Sequence, residues 1–311
     1  MIFSEQQLER FSNPPPKYQS DQIKRTQETI KEVLQKNIPN AQIKEQFEMD
    51  NFNYEIYLQG SYKNSTNIAN SSDVDIVIEL TSMYYYNTEL LTESQKQIME
   101  RERNPSKYSF AEFKNAVLTA LVKDFGNSIV KRDNKCLRFR GHKNYIDADI
   151  IPCCTYKQYL FYESYSNSRA HEGIEFQADS GEWIVNFPHQ HYISLTNKSQ
   201  ATSGNYKESV RMFKNLREQL IDKRKINSGC AKSYFIENML FNLSNNYFIG
   251  NFTDRFKSIL GKLVIDFESG SIDNYKCANG IDKLFSDKTW SKALCREYLV
   301  GLIFIRDNNA F

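Results

Sequence analysis

The sequence predicts an α+β protein with a mixed sheet, a long N-terminal helix and a helical C-terminal lobe. Apolar residues recur at helical spacing in residues 21–35, short alternating segments fill residues 54–151, and helical spacing returns after residue 205. A chain of 311 residues can form two packed lobes. We expect the first lobe at residues 1–195 and the second at residues 196–311.

The N-terminal region predicts one long helix after a proline run. Pro14, Pro15 and Pro16 interrupt any earlier helix, because proline lacks a backbone N–H and clashes with the preceding turn. Beyond them, one face recurs at steps of three and four residues: Ile23, Thr26, Ile30, Val33 and Leu34.

Five short segments of the next region predict strands. They are residues 54–58, 74–80, 128–131, 136–140 and 145–151, and a helix is expected at residues 110–124. The C-terminal third changes to helical spacing at Val210, Phe213, Leu216 and Leu220, and again at Ile236, Leu240 and Leu243. The polar residues 195–205 predict a connector into that lobe.

Charge, cysteine content and hydropathy narrow the class of protein. The net charge of +2 is too small for extended coating of nucleic acid, so stable nucleic-acid binding is not expected. Six cysteines without a C-x-x-C pair indicate reduced, buried thiols. The N-terminus does not resemble a signal peptide, and no apolar run approaches the roughly 18 residues of a membrane span. We therefore expect a cytoplasmic protein.

The segment GSYKNSTNIANSSDVDIVIEL carries the most informative pattern. Side chains alternate along a strand, so Asp73 and Asp75 would share one face while the apolar residues between them face a core. Neighbouring carboxylates repel and favour a bound cation, and hard oxygen ligands suit Mg²⁺ or Mn²⁺. A pair of such ions can assist phosphoryl transfer, which requires a third acid.

The segment YIDADIIPC supplies that acid from a second strand. Asp147 and Asp149 share one face there, so alternation alone leaves the two tied. Upstream, Gly60 and Ser61 follow a predicted strand and precede residues that could open a helix. Their backbone N–H groups and the Ser61 hydroxyl would suit a triphosphate.

At these residues the chain resembles the DNA polymerase β-like nucleotidyltransferase superfamily, whose mark is a Gly-Ser, an acid pair on one strand and a third acid on a neighbouring strand. Within it, the chain resembles the cyclic GMP-AMP synthase-like enzymes of bacterial antiphage signalling, the CD-NTases. The resemblance implies a polymerase β-like core with a helical C-terminal lobe. It also favours Asp149 over Asp147, since the family's third acid precedes two apolar residues and often a proline.

The resemblance implies further substrate contacts in the helical lobe. NYKESVRMFKNLR resembles a family helix whose lysine contacts the donor triphosphate, here Lys214. SYFIENML resembles a segment in which a serine meets the phosphates and an aromatic residue stacks on the base, here Ser233 and Tyr234. From the residues alone, Lys214 could belong to a solvated basic stripe, Ser233 could be a helix N-cap and Tyr234 a core aromatic.

The implied activity is synthesis of a cyclic di- or trinucleotide second messenger. Asp73, Asp75 and Asp149 would hold two Mg²⁺ or Mn²⁺ ions, and the product would bind a separate effector protein; an accessory regulator is possible. The zinc cluster of the DNA-sensing animal enzyme has no counterpart here, because the His189-x-His191 pair lacks suitably spaced cysteines. The alternative activity is linear nucleotide addition, as in RNA tailing or oligoadenylate synthesis.

Overall fold

The computed structural model describes residues 2–69, 73–142, 144–286 and 290–308. The chain folds into two compact units. The sheet unit comprises Lys17–Gln59 and Ser72–Pro188, and the helical unit comprises Met1–Pro16, Gly60–Ser71 and His189–Phe311. The division of the chain at residue 195 stays a prediction.

The helices carry labels in chain order. They are α1 (Glu5–Ser12), α2 (Lys17–Asn37), α3 (Asn40–Gln46), α4 (Gly60–Asn64), α5 (Glu93–Glu102), α6 (Phe110–Phe125), α7 (Pro188–Ala201), α8 (Asn205–Asp222), α9 (Ser233–Phe241), α10 (Phe252–Glu268) and α11 (Lys292–Asp307). The sheet unit contains α2, α3, α5 and α6, and the other helices belong to the helical unit.

The sheet unit is built on a seven-stranded mixed sheet within the described residues. Its strands are β1 (Tyr54–Gln59), β2 (Val74–Asn87), β3 (Val130–Arg132), β4 (Leu137–Phe139), β5 (Ala148–Ser164), β6 (Asn167–Gln177) and β7 (Trp183–Asn186). The order is β1-β2-β5-β4-β3, and β6 pairs with both β5 and β7. Strands β2 and β5 are parallel, and the other pairs are antiparallel. The predicted α+β class with a mixed sheet is confirmed.

Alternation along β2 fixes which residues enter the core. Val74, Ile76 and Ile78 have no exposed surface, whereas Asp73 and Asp75 are partly exposed. Burying the apolar face stabilises this register, because a slip of one residue would move the acids into the core.

The N-terminal prediction is correct for α2 and missed α1. The predicted face of α2 is buried, and the three prolines separate the two helices. Helix α1 begins with a capping box, in which the Ser4 hydroxyl accepts from the Gln7 N–H and the Gln7 side chain accepts from the Ser4 N–H. That S-x-x-Q pattern was the available signal for this helix.

The helical unit packs around the residues that helical spacing selects. Val210, Phe213, Leu216 and Leu220 of α8 are buried together with Ile236, Leu240 and Leu243. The connector predicted at residues 195–205 is wrong for most of its length, because α7 continues to Ala201. The buried residues of α7 are His191 and Leu195, and the buried Thr202 follows its end, so polar residues hide the helical period.

All six cysteines are free and buried, as predicted for reduced thiols. Burial is the main cause that raises the pKa of Cys154 to about 12, so this thiol stays protonated and unreactive. Across the described residues, every helix is too short or too polar to cross a bilayer.

Candidate active site

Parallel pairing of β2 with β5 brings two of the predicted acids side by side. Asp75 is the register partner of Asp149, and Asp73 immediately precedes β2. The pairing begins where the Val74 N–H donates to the Asp147 carbonyl at 3.1 Å. Two strands distant in sequence thus carry acids to one end of the sheet.

Asp147 and Asp149, between which alternation could not choose, have different surroundings. Asp147 is exposed, and its Oδ1 accepts the Gly141 N–H at 2.6 Å, so it closes the turn before β5. The Asp149 side chain is only 25% exposed, and among the described residues its buried Oδ1 has no hydrogen-bond partner. A buried carboxylate oxygen without a hydrogen bond is costly to remove from water, and such an oxygen is suited to bind a cation.

Arg138 lies beside the acids and was not singled out from the sequence. It is the register partner of Asp149 on β4, and its Nε lies 3.6 Å from Asp149 Oδ1, too far for a hydrogen bond. Asp149 first, then Asp133 and more weakly Asp73, raise the pKa of Arg138. Alternation in residues 136–140 could have found it, because Leu137 faces the core and Arg138 does not.

The carboxylates also influence a neighbouring thiol. Burial first, and then the nearby Asp149 carboxylate, raise the pKa of Cys136 to about 12. In the absence of a bound cation, Cys136 is therefore a neutral thiol beside the acid.

The donor set fits a hard divalent ion in type, since it consists of carboxylate oxygens. In the described part of the chain, no three His, Cys, Asp or Glu side chains are grouped closely enough to hold an ion. The metal site at Asp73, Asp75 and Asp149 therefore stays a prediction.

Gly60 and Ser61 open α4 in the helical unit. Gly60 has φ of 69°, a left-handed conformation that a Cβ would strain. Five residues later, the Thr66 N–H donates to the Ser61 carbonyl at 2.9 Å and closes the turn. The glycine at this position is thus a backbone requirement as well as a candidate phosphate contact.

Lys214 is buried and ion-paired. It is 2% exposed, and its Nζ donates to Glu237 Oε1 at 2.5 Å and to the Thr66 carbonyl at 3.0 Å. Arg211 is also buried, at 8% exposure. The solvated-stripe interpretation is therefore wrong, and Glu237 is the partner that sequence reasoning missed.

Ser233 and Tyr234 lie at the start of α9. The N-cap of this helix is Lys232, without a side-chain cap bond, so Ser233 does not act as the N-cap. Tyr234 is 40% exposed, and its ring stacks on His191 with centroids 4.8 Å apart and planes inclined at 23°. Tyr234 is thus not a core aromatic, and one face of its ring lies against the imidazole of His191.

Comparison with known proteins identifies the family. Residues 194–304 match the model of the cGAS/DncV-like nucleotidyltransferase C-terminal helical domain, and residues 41–131 match that of the nucleotidyltransferase domain. The chain is 34% identical to a cyclic dipurine nucleotide synthase of Elizabethkingia meningoseptica over 93% of each chain. It belongs to the cGAS/DncV-like nucleotidyltransferases.

Other relatives of these nucleotidyltransferases agree with that assignment. A cyclic UMP-AMP synthase of Rhodothermus marinus is 34% identical over 96% of each chain. The solved Rhodothermus marinus structure, with Apcpp and Upnpp, has a TM-score of 0.82 and 33% identity and covers 98% of this chain and 96% of its own. The polymerase β-like fold and the nucleotidyltransferase class expected from the sequence are confirmed.

Proposed function

We propose that this enzyme joins nucleoside triphosphates into a cyclic di- or trinucleotide and releases pyrophosphate. The single observation that carries the proposal is the pairing of Asp75 with Asp149 on parallel strands. It lies in a chain whose relatives include synthases of cyclic dipurine nucleotides and of cyclic UMP-AMP. These relatives differ in the bases that they join.

Asp73, Asp75 and Asp149 are the proposed ligands of two Mg²⁺ or Mn²⁺ ions. Such ions, when bound, polarise the attacked phosphate and lower the pKa of the attacking hydroxyl. The buried Oδ1 of Asp149 accepts no hydrogen bond among the described residues, which supports this role. Its charged neighbour is Arg138, whose Nε lies 3.6 Å away. Asp149 is also the proposed acceptor of the proton from the attacking ribose hydroxyl.

The helical unit supplies the proposed substrate contacts. Gly60 and Ser61 offer backbone N–H groups and a hydroxyl to the triphosphate. Ser233 begins α9, where the first N–H groups lack intrahelical partners and favour an anion. The 40% exposure of Tyr234 supports base stacking. Lys214 is the proposed lysine of triphosphate binding, and it is buried and ion-paired.

The biological setting follows from the proposed product. A small cyclic nucleotide acts as a diffusible signal, so we place the enzyme in the cytoplasm, in antiphage defence, with a separate effector protein that binds the product. The balanced charge of +2 supports small triphosphates as substrates and not a long nucleic acid. An accessory regulator fits the same setting.

The test is incubation of the purified enzyme with each combination of the four nucleoside triphosphates and Mg²⁺ or Mn²⁺. Products are treated with phosphatase and identified by mass spectrometry, with the Asp73→Asn variant as the inactive control. Phosphatase-resistant rings support the proposal. Linear products alone would support instead the nucleotide-adding alternative, and pyrophosphate release by Asp73→Asn equal to that of the unmodified enzyme would refute the assignment of that acid.

Removing the aromatic ring of Tyr234 is expected to weaken nucleotide binding. Stacking of a base on an aromatic side chain contributes about 1–3 kcal/mol, so Tyr234→Ala should raise the apparent KM on the order of five- to a hundredfold. Tyr234→Phe keeps the ring and should stay near the unmodified enzyme. Steady-state kinetics measure the apparent KM of both variants. An unchanged KM in Tyr234→Ala would show that this ring does not bind the base.

A further inference from the structure

A single buried carboxylate connects four polar groups of the helical unit. Glu237 of α9 is 2% exposed. Its Oε1 accepts from Thr66 Oγ1 at 2.5 Å and from Lys214 Nζ at 2.5 Å. Its Oε2 lies 3.3 Å from the donor Asn64 Nδ2 and 3.2 Å from His191 Nε2. Each carboxylate oxygen therefore has two partners.

The charges of this cluster explain why the carboxylate stays ionised away from water. Burial alone would raise the pKa of Glu237, but the Lys214 ammonium and His191 hold it well below its usual range. Burial lowers the pKa of Lys214, and Glu237 opposes that shift. A buried ion pair with all its hydrogen bonds satisfied holds one geometry, because any rearrangement would leave a charge without a partner.

The cluster fixes the segment that follows the Gly60-Ser61 turn. Thr66 is held through its hydroxyl by Glu237 and through its carbonyl by Lys214, and its N–H closes the turn onto the Ser61 carbonyl at 2.9 Å. Arg211 donates to the Ser65 carbonyl at 2.6 Å, although Ser65 has a left-handed φ of 56°. The turn therefore depends on side chains of two helices.

Glu237 is also linked, through His191, to the ring of Tyr234 that is proposed to stack on the base. His191 Nε2 donates to the ionised Glu237, and the His191 ring stacks on that of Tyr234. Glu237 and Tyr234 lie on α9, and His191 of α7 contacts both. Phosphate and base contacts thus share one anchoring group.

We propose that Glu237 is a positioning residue for triphosphate binding, acting through Thr66 on Ser61 and through His191 on Tyr234. This inference rests on the proposed function for its substrate, but the anchoring of the turn is a property of the protein alone. Lys214 then contributes to triphosphate binding indirectly, by holding Thr66. Its ammonium group donates its hydrogen bonds to Thr66 and Glu237.

Thr66→Val is the sharpest test, because it keeps the side-chain shape, removes the hydroxyl and leaves the ion pair intact. Thr66→Ser keeps the hydroxyl and is the matched control. A second control is Glu208→Gln on α8, which removes the charge that pairs with Arg255 of α10 at 2.9 Å but keeps an amide oxygen that can accept from the guanidinium. The double variant Glu237→Gln with Lys214→Met removes both buried charges together and avoids an unpaired ammonium.

Two measurements separate this inference from the proposed function. Hydrogen exchange without nucleotide should be about tenfold faster in residues 60–69 of Thr66→Val and of the double variant, and unchanged in both controls. The apparent KM for nucleoside triphosphates should rise about fivefold or more, with kcat at saturation within about twofold. Thr66→Ser should restore the unmodified values.

Each outcome decides one of the two claims. If hydrogen exchange in residues 60–69 of Thr66→Val is unchanged, the anchoring role is overturned. It is also overturned if exchange becomes faster by the same factor in all peptides, because that result indicates general destabilisation. A fall in kcat with constant KM overturns the link to triphosphate binding. If the unmodified enzyme makes no nucleotide product, the proposed function fails, while the exchange data still decide the anchoring.

Discussion

Asp149→Asn is expected to lower product formation by about 10²- to 10³-fold. The substitution keeps the shape and removes the negative charge from the acid that is the register partner of Asp75. Charge stabilisation by catalytic metal ions contributes several kcal/mol, and each 1.36 kcal/mol corresponds to a tenfold change in rate. Initial rates of pyrophosphate release at saturating nucleotide and metal measure the effect.

Asp147→Asn is the matched control for this prediction. The asparagine oxygen can still accept the Gly141 N–H, so the turn before β5 is retained. We expect activity within about threefold of the unmodified enzyme, since a surface substitution of this kind usually changes free energy by less than about 0.5 kcal/mol. The opposite ranking, with Asp147→Asn inactive and Asp149→Asn active, would reverse the choice of the third acid.

Gly141→Ala is expected to damage both stability and activity. A Cβ at this position would lie 2.6 Å from the Tyr145 carbonyl oxygen and 2.6 Å from the Asp147 nitrogen, so the backbone itself must move. Overpacking of this kind costs about 1–3 kcal/mol or more. The displaced turn leads directly into β5, two residues before Asp149, so we expect activity to fall further than stability alone explains.

Thermal unfolding and turnover of the folded fraction separate these two effects. Gly261→Ala is the control, because nothing lies within 4 Å of its Cβ and the residue is inside α10. Alanine there should raise stability slightly, by up to about 1 kcal/mol, as expected for a helix interior. If Gly141→Ala unfolded at the same temperature as the unmodified enzyme and kept full activity, the turn would accommodate the added Cβ and the prediction would be wrong.

The acids of the sheet unit were predictable because side chains alternate along a strand. Apolar residues at 74, 76 and 78 are buried in the sheet, which puts Asp73 and Asp75 on the opposite face. The same rule would have found Arg138. It could not choose between Asp147 and Asp149, because that difference depends on the turn that Gly141 closes.

The candidate substrate contacts of the helical unit were less predictable because several of its polar residues are buried. Lys214 and Glu237 are both charged and both fall on helices, and nothing in their spacing shows that they are buried partners. Their pairing depends on how α8, α9 and residues 64–66 pack, which is a tertiary property. Helix α7 was hidden for a similar reason, since His191 occupies a position where periodicity expects an apolar residue.

The parallel pairing of β2 with β5 also has a consequence for synthesis of the protein on the ribosome. Asp75 and Asp149 are separated by a long stretch of chain that includes α5, α6, β3 and β4, so closing this contact requires a large loss of chain entropy. Strand β1 can pair with β2 much earlier, since the two are neighbours in the chain. A nascent polypeptide therefore cannot pair Asp75 with Asp149 until β5 has emerged, and truncated chains that end before β5 lack this pair.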